Sequence, residues 1–390
     1  MTKIYLIRHG EAEGNLYRRA QGQYDSNITA LGRRQITALA ERFRTVPVDA
    51  VWSSDLCRAQ STAAAILKYH PNLTLHTTSR LREVDVGVWE DVPWGSIHRS
   101  YPQELDYFTN DPARWSVPEA ESYEALVVRF RQTVLELAQQ YDGQTVAVVA
   151  HGLGIRALLC DLLGVTSENI ATLPYGDNTS VSLLEVEQGQ VTVRWYNDNS
   201  HLDETLSTFS RQAWWRQQQK QPQGYTHFEP LNLRREGELY SHCYAQTWLC
   251  SHGNLHGFSP AVYLHSAQLH ENVDARCVEK LYWEDTFAGL VELDPYRGEA
   301  EGAGWISLLY IEPELRQKRL GIQLVGHAVS YFRAQGRRCL RLHVSQTNDQ
   351  ALGFYEHNGF VPVEQTQGVG GMLYLMELDI ARKVLTPADI

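Results

Sequence analysis

The sequence predicts two α/β domains: a three-layer α/β/α, doubly wound and mostly parallel sheet over residues 1–205, and a mixed α/β sheet over 228–390. Three observations lead there. Lys3-Ile-Tyr-Leu-Ile7 and Thr145-Val-Ala-Val-Val-Ala150 are short apolar runs without alternation, as strands buried on both faces require. Helical stretches lie between them, at about 31–44, 58–69 and 122–140, giving the strand-helix alternation of a doubly wound sheet. Finally, Arg216-Gln-Gln-Gln-Lys-Gln-Pro-Gln-Gly224 contains no apolar residue and ends in turn formers, so residues 206–227 read as a helical or Gln-rich linker.

Beyond that linker, Thr286-Phe-Ala-Gly-Leu-Val-Glu-Leu293 and Trp305-Ile-Ser-Leu-Leu-Tyr-Ile311 read as successive strands. A helix from about Gly321 to Gln335, a strand at Cys339–Val344, a short helix at 349–357 and a terminal hairpin complete the mixed sheet.

At 390 residues the chain is too long for one hydrophobic core. Hydrophobic residues at 43% and charged residues at 21%, with 20 tyrosines and 10 tryptophans, exclude an aromatic-poor disordered chain. A formal net charge of −11 argues against nucleic acid or an anionic membrane as partner, because such affinity rests on neutralising phosphates. The cysteines at 57, 160, 243, 250, 277 and 339 form no CxxC pair, which points to reduced thiols. The N-terminal apolar run meets Arg8 too early for a signal peptide, and no uncharged apolar run approaches the roughly 20 residues that span a bilayer. The expected location is cytoplasmic.

Two buried strands end alike, in Arg8-His9-Gly10 and in His151-Gly152, which puts two imidazoles at the carboxyl edge where open α/β sheets bind ligands. A third strand-like run, Ala50-Val-Trp52, leads through Ser53-Ser54-Asp55 into a helix with Arg58 in its first turn. Cations around a nitrogen nucleophile are what phosphoryl transfer needs. Taken singly, His151 reads as a structural, hydrogen-bonding strand end, and the bland alternative for Glu83, which lies between these runs, is an exposed helix-edge carboxylate. The joint pattern is what points to catalysis.

Those residues resemble the histidine phosphatase superfamily, in its phosphoglycerate-mutase-like branch. The match runs from Arg8-His9-Gly10-Glu11 with Asn15, Gln21-Gly22 and Asp25, through Ser53-Ser54-Asp55-Leu56-Cys57-Arg58-Ala59, Leu81-Arg82-Glu83 and Gly87-Val88-Trp89-Glu90, to Val149-Ala150-His151-Gly152. The resemblance implies a phosphohistidine on His9, phosphoryl oxygens held by Arg8, Arg58 and His151, and Glu83 as proton donor. Gly10, Asn15, Gln21 and Gly22 would line the phosphate and substrate entrance, and no metal or cofactor would be needed. Mutases of the family clamp a glycerate carboxylate with paired basic residues. Here the span from Asp91 to Ser122 carries only Arg99 and Arg114, far apart, which favours hydrolysis of a small phosphate ester. Pro118-Glu-Ala-Glu-Ser122 departs from the family's usual Pro-Gly-Gly-Glu-Ser and leaves the choice of ester open.

In the second half, Glu312-Pro-Glu-Leu-Arg316-Gln-Lys-Arg-Leu-Gly321 opens a helix whose free N–H groups suit a pyrophosphate, although alone it reads equally as a solvated basic turn. With Asn348-Asp-Gln-Ala-Leu-Gly-Phe-Tyr355-Glu-His-Asn-Gly-Phe360 it resembles the GNAT acyltransferase family. The resemblance implies acetyl-CoA held along Ile311, Arg316, Gln317, Lys318, Arg319, Gly321, Ile322 and Asn348, with Tyr355 protonating the thiolate and an amine as acceptor. Arg319 stands where that family's R-x-x-G-x-G/A loop has its first glycine. Glu292 and His343 are candidate bases that read first as structural residues, and Cys243, Cys250, His252 and His256 match no zinc spacing. The expected protein is therefore bifunctional. The alternatives are a mutase in the first domain or an acyl-CoA sensor without turnover in the second.

Overall fold

The computed structural model describes residues 1–210 and 224–390, which divide into two compact units. The first takes in Met1–Pro93, residues 97–210 and Arg382–Ile390, and the second takes in Trp94–Ser96 and Gly224–Ala381. Most of the polar stretch read as a linker lies outside the described residues. On either side of it, Ser207, Thr208 and Phe209 are buried, and Thr226–Pro230 is a strand. Residues 382–390, expected in the second domain, pack with the first unit.

The first unit runs β1 (Thr2–Arg8), α1 (Glu13–Leu16), α2 (Ala30–Phe43), β2 (Ala50–Ser54), α3 (Cys57–Tyr69), β3 (Leu75–Thr78), α4 (Trp94–Ser100, its first three residues counted with the second unit), α5 (Pro102–Asn110), α6 (Tyr123–Gln140), β4 (Thr145–Ala150), α7 (Gly152–Leu163), β5 (Val181–Glu187) and β6 (Gln190–Asp198). Its strand order is β3-β2-β4-β1-β5-β6. The first four are mutually parallel and β5 and β6 add an antiparallel edge. Ile4, Leu6 and Ile7 of β1 and Val146–Ala150 of β4 are fully buried, which is why both read as unbroken apolar runs. Thr29 starts α2 by accepting the Gly32 N–H, and Ile36, Leu39 and Phe43 bury its inner stripe at roughly 1.5–3 kcal/mol each. Gly164 ends α7 at φ 70°, a left-handed cap that glycine adopts without strain.

The second unit runs β7 (Thr226–Pro230), α8 (Leu233–His252), α9 (Pro260–Val273), β8 (Val278–Trp283), β9 (Thr286–Asp294), β10 (Ala303–Ile311), α10 (Gly321–Ala334), β11 (Cys339–Ser345), α11 (Asp349–His357), β12 (Val361–Gly368) and β13 (Gly371–Asp379). Its strand order is β12-β13-β11-β10-β9-β8-β7. The parallel pair β10 and β11 is registered from Ala303↔Cys339 to Trp305↔Arg341 and then parts. The other neighbours are antiparallel. Among the described residues no helix is long and apolar enough to cross a membrane.

Candidate active site

Register builds the cluster in the first unit. With Arg8 opposite Ala150 in the β1–β4 pair, the next residue of each strand leaves the sheet at the same edge. These are His9 and His151, whose ring centroids lie 5.2 Å apart, and the His9 N–H still donates to the Ala150 carbonyl at 3.0 Å. Ser53 of β2 pairs with Val149, so α3 also begins at this edge. Leu56 cannot cap α3; Asp25 does, its Oδ1 accepting the Cys57 N–H at 2.8 Å. Arg58 follows directly.

The His9 Nδ1 lies 2.7 Å from the Gly10 carbonyl. A carbonyl only accepts, so Nδ1 carries the proton and Nε2 keeps the lone pair a nucleophile needs. Burial, reinforced by Arg58 and Arg8, holds His9 well below the ordinary imidazole range. Burial, then Arg58 and His9, does the same for His151. Both rings are therefore neutral at pH 7. Arg58, 1% exposed, donates to the carbonyls of Tyr24 at 2.8 Å and Gly22 at 2.7 Å. Arg8 donates to the Gly176 carbonyl at 2.6 Å.

The Nε of Arg8, the Nε of Arg58 and both ring nitrogens of His151 are buried without a hydrogen-bond partner. Leaving such a group unsatisfied costs about 1–3 kcal/mol, more when it is charged. A phosphoryl group, with several acceptor oxygens and negative charge, can satisfy the donors among them together.

Glu83 sits on the N-terminus of α7, where Oε2 accepts the Leu153 N–H and Oε1 the Gly154 N–H, both at 2.8 Å. Its carboxyl group is an electrostatic neighbour of Arg8 and Arg58, so all five expected catalytic residues of this unit share one site. Arg129 braces the backbone behind it, donating to the carbonyls of Arg80 and Arg82 at 2.8 Å. Arg129 is in turn gripped through Nε and Nη2 by Glu121, inside the segment that departs from the family pattern.

The entrance residues shape the loop. The Gly10 N–H donates to Thr62 Oγ1 at 2.9 Å. A Cβ on Gly22 would stand 2.2 Å from the Val84 carbonyl oxygen, so only glycine fits. Asn15 accepts the Ala12 N–H at 3.1 Å, and Gln21 donates to Ser26 at 2.6 Å. Those contacts hold loop geometry and do not join the histidine cluster.

Glu90 and the turn before residue 181 were given no role from the sequence. Glu90 accepts the N–H groups of Gly22, Gln23 and Tyr24, organising the carbonyls that hold Arg58. In the turn Gly176–Ser180, Asn178 donates to the His9 carbonyl at 3.0 Å. Asp177 binds Ser207 Oγ at 2.5 Å and the Thr208 N–H at 3.1 Å. Five turn-forming residues directly before the run at 181 were the available signal.

In the second unit, Arg316 donates to the Ile311 carbonyl at 3.1 Å and faces Cys250 Sγ at 3.8 Å. Lys318 lies 4.5 Å from the Trp283 ring centroid. Gln317 and Arg319 adopt φ 64° and 58°, so the turn keeps a conformation suited to glycine although neither residue is one. No side chain caps α10, which leaves its first N–H groups, Gly321 and Ile322 included, for an anion. Asn348 caps α11 through the Ala351 N–H at 3.1 Å. Tyr355 packs edge-on against Phe354 and Phe360, and burial pushes its hydroxyl above the ordinary range, keeping its proton. Glu292 is buried between Tyr240 at 2.7 Å and His270 at 2.9 Å, and His343 stacks edge-on against Trp305. Among the described residues no three His, Cys, Asp or Glu side chains are grouped to hold a metal.

Comparison with known proteins agrees with this division. Residues 4–199 match the family model described as histidine phosphatase superfamily (branch 1), and residues 238–360 match that of the acetyltransferase (GNAT) family. Phosphoserine phosphatase 1 of Hydrogenobacter thermophilus is 29% identical over 204 residues, covering 52% of this chain and 96% of that protein. A probable phosphoglycerate mutase, GpmB of Yersinia pestis, is 33% identical over 208 residues, with the same 52% and 96% shares. The solved structure of YhfR from Bacillus stearothermophilus is 30% identical at a TM-score of 0.51, covering 52% of this chain and 100% of that one.

Proposed function

The chain belongs to the histidine phosphatase superfamily through residues 4–199 and carries a GNAT acetyltransferase domain at 238–360, and from that premise we propose two activities. The first unit hydrolyses small phosphomonoesters through a phosphohistidine on His9. The second transfers an acyl group from acetyl-CoA to an amine.

The buried, unpartnered donors around His9 carry the first reading. His9 Nε2 attacks phosphorus and forms the N–P bond as the ester P–O bond breaks. Arg8, Arg58 and His151 hold the equatorial oxygens, whose charge the two guanidiniums offset in a site shielded from water. Glu83 gives the departing alkoxide its proton, then takes one from the water that cleaves the N–P bond and releases inorganic phosphate. The relative named as a probable mutase keeps phosphoryl return to a second hydroxyl in view. Against it, Arg114 lies over the Tyr107 ring and donates to its hydroxyl at 2.7 Å, so it is already engaged within its own segment. Release of p-nitrophenol from its phosphate ester, resistant to EDTA and blocked by vanadate, is expected. Turnover only after priming with a bisphosphoglycerate would favour the mutase.

The fit of acetyl-CoA rests on the uncapped start of α10, the left-handed turn before it and the parting of β10 from β11. When bound, it supplies an activated acyl group. The N–H groups of Gln317 to Ile322 would hold its pyrophosphate, and Tyr355 would keep a proton for the sulfur. Calorimetry with acetyl-CoA and amine-dependent thiol release test this reading; binding without release across an acceptor panel identifies a sensor.

A further inference from the structure

We propose that residues 382–390, which come after the GNAT domain in the chain, are a positioning segment of the phosphatase site, fixing Arg58 by packing on both elements that hold it. The inference rests on the reading of His9 and Arg58 given above. Leu385, 7% exposed, enters the apolar cluster that includes Ile28, Ile36, Ala59, Ala63 and Ile66. Three of those belong to α3, and Ala59 is the residue next to Arg58. The Leu385 N–H donates to Ser61 Oγ at 2.9 Å, tying the segment to the buried face of the same helix. Toward the helix end, Lys68 Nζ donates to the Ile390 main-chain oxygen at 2.6 Å.

The second element is the loop that presents the Gly22 and Tyr24 carbonyls to Arg58. Farther along it, Asn27 Oδ1 accepts the Lys383 N–H at 2.8 Å. Between these anchors, Thr386 and Asp389 bond each other and stiffen the turn Pro387–Asp389. The segment thus joins α3, which carries the guanidinium, to the loop that aims it. A group that must meet a transferring phosphoryl oxygen tolerates displacement of only about 0.5 Å. Loosening α3 against the loop therefore acts on anion binding and on rate, not only on folding.

The test is made in the intact chain, at a temperature where unfolding curves show each variant folded. Leu385→Ala is expected to weaken vanadate inhibition and lower kcat/KM for p-nitrophenyl phosphate by about tenfold, because the first-unit site loses its alignment. Leu385→Met, which refills the space, is expected to restore both. Ser61→Ala removes one anchor without opening a large cavity, so it reports even if Leu385→Ala does not fold; a two- to threefold loss in the same direction, roughly that of one weak hydrogen bond, is expected. Variants that lower the unfolding temperature while keeping wild-type vanadate inhibition and kcat/KM overturn the proposal and leave the segment as core filling. A wild-type chain that neither releases phosphate nor binds vanadate overturns the phosphatase reading, and this proposal with it.

Discussion

In the first unit the groups proposed to meet a phosphoryl anion are buried side chains, the two guanidiniums pinned by the carbonyls of Gly176, Gly22 and Tyr24. In the second, the groups proposed to meet the acetyl-CoA pyrophosphate are main-chain N–H groups at an exposed turn, set by the backbone angles of Gln317 and Arg319. A side-chain site depends on residue identity and fails when one residue changes. A backbone site depends on conformation and survives replacement of its glycine, at a strain of about 1–2 kcal/mol per left-handed residue.

The contrast breaks most sharply on Arg58→Ala. Loss of a buried guanidinium from the transition state is expected to lower phosphate release by about 10³-fold, with acetyl-CoA binding unchanged in calorimetry; a parallel loss of both would show that the units do not act separately. Tyr355→Phe is the mirror experiment. It is expected to slow amine-dependent thiol release by about 10²-fold and leave p-nitrophenyl phosphate hydrolysis at its wild-type rate.

Acid separates the units thermodynamically. Burial keeps His9 and His151 well below the ordinary imidazole value and His201 near about 4. Below pH 6.5 the unfolded chain therefore takes up protons that the folded first unit refuses, so stability is lost as pH falls from 6.5 toward each folded value. His252 and His343 of the second unit are also lowered by burial, but they are less enclosed. Calorimetric scans from pH 7.5 to 5 are expected to show the steeper fall for the first unit, and equal slopes would contradict the assignment of these three neutral rings.

The smallest effect sharpens the comparison at the turn itself. Arg319→Gly relieves left-handed strain but adds freedom to the unfolded chain, so the second unit is expected to gain less than about 1 kcal/mol. Acetyl-CoA affinity should hold or improve; a severalfold loss would show that the guanidinium, not the backbone, binds the phosphates.

Legibility divides along similar lines. The buried strands β1 and β4, helices α2, α3 and α6, and the convergence of His9, His151 and Arg58 are readable because unbroken apolar runs mark strands, and strand ends mark the residues delivered to the sheet edge. The hairpin of β5 and β6 was not singled out: its alternating exposure makes it a weaker pattern than a buried run. α8 was hidden by scattered aromatic and polar residues, with Leu233, Tyr240, Cys243 and Trp248 its buried positions. Glu90 and Asp177 act through main-chain groups of distant loops, and no local spacing encodes such contacts. Nor does a sequence announce that residues 382–390 return to the first unit, since Leu385 bonds Ser61 across more than 300 intervening residues.

The central claim is covalent chemistry at His9 Nε2. Mix the intact chain with a ³²P-labelled phosphomonoester, quench in alkali within milliseconds, and map the label. An alkali-stable, acid-labile adduct on the His9 peptide, formed before phosphate appears and missing in His9→Ala, is expected. Full-rate phosphate release with no such adduct, or undiminished release by His9→Ala, would contradict the account.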